Sequence, residues 1–104
     1  MSEEINTYNE KSITYTELFE FIKGFAEQKI YENGHKDDPL KRDDCNLLYR
    51  LDEERQERIE AYENWIEDPT EENAVKFFNE VGDEFNILLF ICGQMAGYTK
   101  LERM

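Results

Sequence analysis

The chain has 104 residues, and its 25 aspartates and glutamates outnumber 12 lysines and arginines to give a formal net charge of −13. That length makes one domain, and that charge argues against direct contact with a nucleic-acid backbone, whose phosphates it repels. A membrane role is not expected either: the densest apolar run, Phe85 to Cys92, is broken by Asn86 and followed by Gly93-Gln94, and the Met-Ser-Glu-Glu start lacks the basic and apolar stretches of a signal peptide, so a cytoplasmic location is expected.

Residues 1–12 are polar and are expected to form a flexible N-terminus, while 13–104 read as a single helical domain. The first helix opens on a capping box: Thr14 caps, Glu17 sits at the third helical position, and Ile13 is placed to staple onto Leu18. Tyr15, Leu18, Phe19, Ile22, Phe25, Ala26 and Ile30 recur at helical spacing, and Asn33-Gly34 is a stop signal. His35, in the charged stretch 34–42, reads as a solvated loop side chain, because no second histidine or cysteine lies near it. Asp38-Pro39 offers a start for the second helix, with a later start near Asp43 as the alternative. This helix runs to about Glu67 on the stripe Leu47, Leu48, Leu51, Ile59, Tyr62, Trp65 and Ile66.

Asp68-Pro69 repeats the start signal, with Glu71 placed to complete a capping box. The third helix carries Ala74, Phe77, Phe78, Val81, Phe85, Leu88, Cys92 and Met95, and ends near Gly93 or Gly97. Cys45 and Cys92 lie in helical patterns without metal-type spacing and are expected as buried reduced thiols. Past Phe85 the third helix is apolar nearly all round, so it is buried on more than one side. The expected fold is all-α: an antiparallel bundle of three to four helices, since short links favour antiparallel neighbours. Dimerisation is expected to complete it, because a chain of this size buries a modest share of its surface alone.

Two acidic segments stand out. The second helix contains Glu53-Glu54-Arg55-Gln56-Glu57 and the third contains Glu80-Val81-Gly82-Asp83. Carboxylates three apart on a helix have Cβ atoms roughly 5–6 Å apart, and two such pairs on facing helices make an all-oxygen pocket of the kind Mg²⁺ prefers. At about 100° per residue, Glu54 falls in one column with Leu47, Ala61 and Trp65, at the edge of the apolar face. Glu80 and Asp83 share a column with Ile87, Phe90 and Ile91, which are too apolar to face water. A second helix or a second subunit must cover them, and charge buried there needs partners. The acids alone leave three readings: a solvated face, a divalent-cation site, or an imitation of nucleic acid for a basic partner protein.

Their context points further. The run Leu51-Asp52-Glu53-Glu54-Arg55-Gln56-Glu57-Arg58-Ile59-Glu60-Ala61, led by Leu47-Leu48-Tyr49-Arg50, resembles the first motif of MazG-like all-α nucleoside triphosphate pyrophosphatases, an E-E-x-x-E helix flanked by apolar residues. The run Glu80-Val81-Gly82-Asp83-Glu84-Phe85-Asn86-Ile87-Leu88-Leu89-Phe90 is similar to their second motif, in which E-x-G-D opens an apolar helix that ends near a glycine, as Gly97 does here. The 22 residues 58–79 separate the two, and the resemblance covers roughly residues 45–98. It implies Mg²⁺-dependent (or Mn²⁺-dependent) hydrolysis of a nucleoside or deoxynucleoside triphosphate to monophosphate and pyrophosphate. It makes Glu54, Glu57, Glu80 and Asp83 the metal ligands, and Glu53 a catalytic residue that orients or deprotonates water or adds a further ligand. It also implies a homodimer or homotetramer. Arg58-Ile59 departs from the usual order after the first motif.

Groups for the substrate phosphates are not set by any motif. Arg50, Arg55, Lys76 and Lys100 are the candidates, with surface ion pairs as their ordinary role. Arg55 falls on the apolar stripe and needs an acidic partner or a phosphate. Phe19, Phe21, Phe25 and Trp65 are core residues by spacing, with base stacking as the alternative. Two other functions stay open: an acidic interaction protein presenting Glu53, Glu57, Glu60 and Glu67 as a nucleic-acid mimic, and a degenerate member of the fold that binds nucleotide without turnover. The Gly-Asp step and the apolar run after it favour the pyrophosphatase, because mimicry requires neither.

Overall fold

The computed structural model describes residues 11–32, 38–41 and 44–102, with side chains in the last segment described from 47 onward. The chain is all-α. Helix α1 spans Tyr15–Glu32, a 3₁₀ turn spans Pro39–Lys41, α2 spans Asp44–Glu67 and α3 spans Glu71–Met95. Among the described residues there is no strand and no helix long and apolar enough to cross a membrane.

The boundaries follow from local hydrogen bonding. Thr14 and Glu17 form the reciprocal box, each backbone N–H donating to the other's side chain at 3.1 Å. Asp38-Pro39 does not open α2. Asp38 Oδ1 accepts from Leu40 N–H at 3.0 Å and its carbonyl from Lys41 N–H at 3.0 Å, which closes one 3₁₀ turn. The same carboxylate accepts from Leu101 N–H at 3.1 Å and pins the C-terminal segment there. The later of the two expected starts is the real one. The cap of α3 lies two residues beyond the expected Asp68: Thr70 accepts from Asn73 N–H at 3.1 Å, while Asn73 Nδ2 donates to the Asp68 carbonyl at 2.9 Å. The helix ends where Gly97 adopts φ of 93°, with Tyr98 N–H donating to Gly93 O and Gly97 N–H to Gln94 O, a Schellman closure. Asn33-Gly34 and His35 lie outside the described residues, as do residues 1–10 and the Cys45 side chain.

Helix α3 is the centre of the layer. Helices α1 and α2 both pack on it and, among the described residues, not on each other. The pairs Arg58–Glu84 and Tyr62–Phe77 descend α2 as they climb α3, so those two are antiparallel, joined by the link 68–70. The pairs Phe21–Phe78 and Lys29–Asp83 climb α1 and α3 together. On α1 the spacing of Phe21 and Phe25 puts both rings on Phe78, with centroids 5.2 and 5.4 Å away, and Phe19 meets Phe85 at 5.9 Å. One turn on, Gly82 lets the α1 backbone close in: a Cβ there would stand 3.0 Å from Ala26 N and 3.1 Å from the Phe25 carbonyl carbon. Buried Asn86 donates to the Ala26 carbonyl at 2.9 Å across the same interface.

A layer gives each outer helix one neighbour, and that limits the core. Among the described residues, the buried apolar core is Ala26, Leu47, Ala61 and Ile87. The expected stripe of α2 therefore splits. Leu47 is fully buried against α3, while Leu48, Tyr62 and Ile66 are half exposed. Cys92 is likewise exposed, against the expectation of a buried thiol, because it lies on a side of α3 that neither neighbour covers.

Candidate metal centre

The α2 column beginning at Leu47 runs through Glu54 to Ala61, and the contact with α3 buries all three: Glu54 retains 7% of its exposure. Glu54 points across the interface toward Glu80, one helical turn before Asp83 on α3. Glu57, one turn on from Glu54, reaches the same place from the rim. One carboxylate oxygen from each of Glu54, Glu57 and Glu80 lies within 4.8 Å of the others. Oxygens bound to one Mg²⁺ stand about 3 Å apart when adjacent and about 4 Å apart when opposite, so side chains gathered within 4.8 Å of one another would close on one hard cation by drawing together.

The electrostatics are those of an unsatisfied site. Burial, with the charges of Asp83, Glu57 and Glu80 added, pushes the Glu54 carboxyl up to about 7, and the Arg50 guanidinium offsets only part of this. Glu80 is raised by burial and then by Glu57 and Asp83. Asp83 is raised by burial despite the nearby cations Lys29 and Arg50. Oε1 of Glu54 and Oε1 of Glu80 are buried without a hydrogen-bond donor, an arrangement that costs free energy unless a proton or a cation fills it. Three oxygen donors and two orphaned buried oxygens fit a divalent cation of the Mg²⁺ type.

The other expected residues fall around this triad. Asp83 sits beside it, 3.8 Å from Lys29 Nζ of α1. Arg50 lies one turn before Glu54 on α2, with Nη2 3.7 Å from Glu54 Oε2 and Nε 4.0 Å from Glu53. Glu53 is on the solvent side of α2 with its side chain 71% exposed, outside the triad. Lys76 lies 3.8 Å from Glu72 and lines a cavity that includes Glu57 and Glu80. Arg55 is exposed and does not pack into the α2–α3 interface, because its stripe is the one the layer leaves uncovered. The departure at Arg58 has an explanation: its guanidinium donates to Glu84 across α2–α3, clamping the interface one turn from Glu54.

Lys29 is a neighbour that sequence reasoning missed. It is brought in by the α1–α3 crossing at Gly82, and its only sequence signal is its place one turn after Ala26 on α1. The acids border a cavity of about 420 Å³ that runs from Glu57 and Glu80 toward the α2–α3 link, past Asn64, Asn73, Lys76 and Asn79. A larger, mostly apolar cavity of about 550 Å³ lies between α1, α3 and the C-terminal segment, and none of the triad lines it.

No family model, curated protein or solved structure matches this chain.

Proposed function

We propose that this chain is a Mg²⁺-dependent nucleoside triphosphate pyrophosphohydrolase of the MazG-like kind, releasing a nucleoside or deoxynucleoside monophosphate and pyrophosphate. The observation that carries the proposal is Glu54: a carboxylate 7% exposed, with an orphaned oxygen, turned toward two further carboxylates from two helices. A solvated acidic face has no reason to bury its central member. In this reading Glu54, Glu57 and Glu80 hold the cation, and Asp83 joins them from beside Lys29. A cation there supplies charge neutralisation and polarises a phosphoryl oxygen of the substrate.

The chain's own residues do the rest. Arg50 and Lys29 flank the acids on the α2 and α1 sides and offset charge on the phosphates. Lys76 does so from the α3 side, and Arg55 is kept as an outer contact. Glu53, at the rim beside Arg50, is the residue proposed to orient or deprotonate water, which requires it to swing toward the triad. Water adds at one phosphorus of the α–β bridge, the bridging P–O bond breaks, and the protons released pass to solvent. A cytoplasmic location belongs to this reading, as does a homodimer or homotetramer. The half-exposed row Leu48, Tyr62 and Ile66 on α2, with Leu88 and Met95 exposed on α3, supports self-association.

The test is pyrophosphate release from a panel of ribo- and deoxyribonucleoside triphosphates with Mg²⁺ or Mn²⁺. Release that falls at least a hundredfold in both Glu57→Gln and Asp83→Asn is expected (about 3 kcal/mol of transition-state stabilisation or more). Metal-dependent binding without release would make the chain a degenerate member of the fold. A nucleic-acid mimic is favoured by one observation, the exposure of Glu53, Glu57, Glu60 and Glu67 along α2. It would be supported by tight binding to a nuclease together with no nucleotide binding.

A further inference from the structure

We infer that the cavity between the C-terminal half of α2 and the N-terminal half of α3 receives the nucleoside part of the substrate, and that Asn64 and Asn79 read it. This rests on the pyrophosphatase reading and adds to it where sugar and base lie. The cavity, about 420 Å³, falls in the range of small-molecule sites, roughly 300–1,000 Å³. It shares Glu57 and Glu80 with the triad, so a ligand whose phosphates meet the cation has its next group at the cavity mouth.

The lining decides which part of the ligand fits. Three carboxylates, Glu57, Glu60 and Glu80, and two lysines, Lys29 and Lys76, border the cavity. The lysines already pair with Glu32, Asp83 and Glu72, so the lining is net negative and a further phosphate there would meet repulsion that the cation at one end does not offset. A neutral ring system bearing hydroxyl and amine donors meets no such penalty. Three asparagines line the same space. Asn73 is committed, its Nδ2 donating to the Asp68 carbonyl at 2.9 Å. Among the described residues, the carboxamides of Asn64 and Asn79 have no hydrogen-bond partner. Each offers two donors and an acceptor, the set that pairs with a base edge or with sugar hydroxyls. Asn79 is half-buried and Asn64 is exposed, so the pair grades from the wall of the cavity to its rim. Arg50 stands outside the cavity, and Lys29 lines it from the α1 side, 3.8 Å from Asp83, so these cationic groups meet the phosphates at the acid end.

The experiment is calorimetric titration in Mg²⁺ of the wild type, Asn79→Ala and Asn64→Ala with a nucleoside triphosphate panel and, separately, with inorganic tripolyphosphate. The expected result is that the wild type binds at least one nucleoside triphosphate more tightly than tripolyphosphate. Each variant is expected to lose about tenfold on that nucleotide while holding tripolyphosphate unchanged. Equal loss on both ligands, or no loss on either, overturns the inference and leaves the pyrophosphatase reading standing. A wild type that binds neither ligand overturns both. Asn64, being exposed, keeps the test open if Asn79→Ala fails to fold.

Discussion

Ionising Glu54 places a charge beside two other carboxylates and away from water, and the chain's pH response should show it. Its carboxyl is raised to about 7 in the folded chain against an ordinary value of 4.5, so the folded state binds the proton more tightly than the unfolded one. The stability this contributes is fully present below about pH 4.5 and is lost as pH rises through about 7. In EDTA, the unfolding free energy should fall by on the order of 3 kcal/mol across that window, and Glu80 and Asp83 act in the same direction. Glu54→Gln removes the charge and keeps the shape. It should flatten much of that slope and raise the melting temperature at pH 8 by several degrees, as read by circular dichroism. A variant that is less stable than wild type at pH 8 without metal would mean that Glu54 is already satisfied. The sequence revealed this residue because its column also contains Leu47 and Ala61. It did not reveal Lys29, which comes from a helix whose neighbours no single-helix periodicity predicts.

At the level of the elements, the α1–α3 crossing determines whether Asp83 and Lys29 meet. Gly82→Ala gains about 1 kcal/mol of helix propensity, but the new Cβ would press on α1 backbone at 3.0 Å, and overpacking of that kind costs typically 1–3 kcal/mol. Rigid backbone cannot move as a side-chain tip can, so the second effect wins, and urea unfolding should show net destabilisation. Asn86→Ala leaves the Ala26 carbonyl without its cross-helix donor and should cost about 1–2 kcal/mol. Helix ends were legible to within a residue or two because Thr14, Glu17, Pro69 and Gly97 carry strong local chemistry. The start of α3 was misplaced because Asp68-Pro69 and Thr70 both offer caps, and only the Asn73 bonds to each choose between them. Asn86, which reads in the sequence as a break in an apolar run, is the hydrogen bond that ties α1 on.

The described residues form a layer with α3 between α1 and α2, a small buried core and many half-exposed apolar side chains. The all-round apolar character of α3 past Phe85 calls for burial on more than one side, and α1 and α2 do occupy two sides. Leu88, Leu89 and Met95 remain about half exposed or more, because three helices in a layer leave the remaining sides of the central one open. Self-association through the uncovered α2 and α3 rows predicts light scattering at twice the chain mass or a higher multiple, and a melting temperature that rises with protein concentration. Leu48→Glu combined with Leu88→Glu should return a monomer, and wild type that stays monomeric at high concentration would remove this part of the account.

Everything functional depends on whether the α2 and α3 acids share a cation, and direct Mg²⁺ titration by calorimetry at pH 8 asks this most simply. Saturable binding of a cation at each chain's triad is expected, accompanied by a rise in melting temperature, with both effects lost in Glu54→Gln and in Glu80→Gln. Heat signals and unfolding curves that do not change up to millimolar Mg²⁺, or that are the same in wild type and both variants, would contradict it.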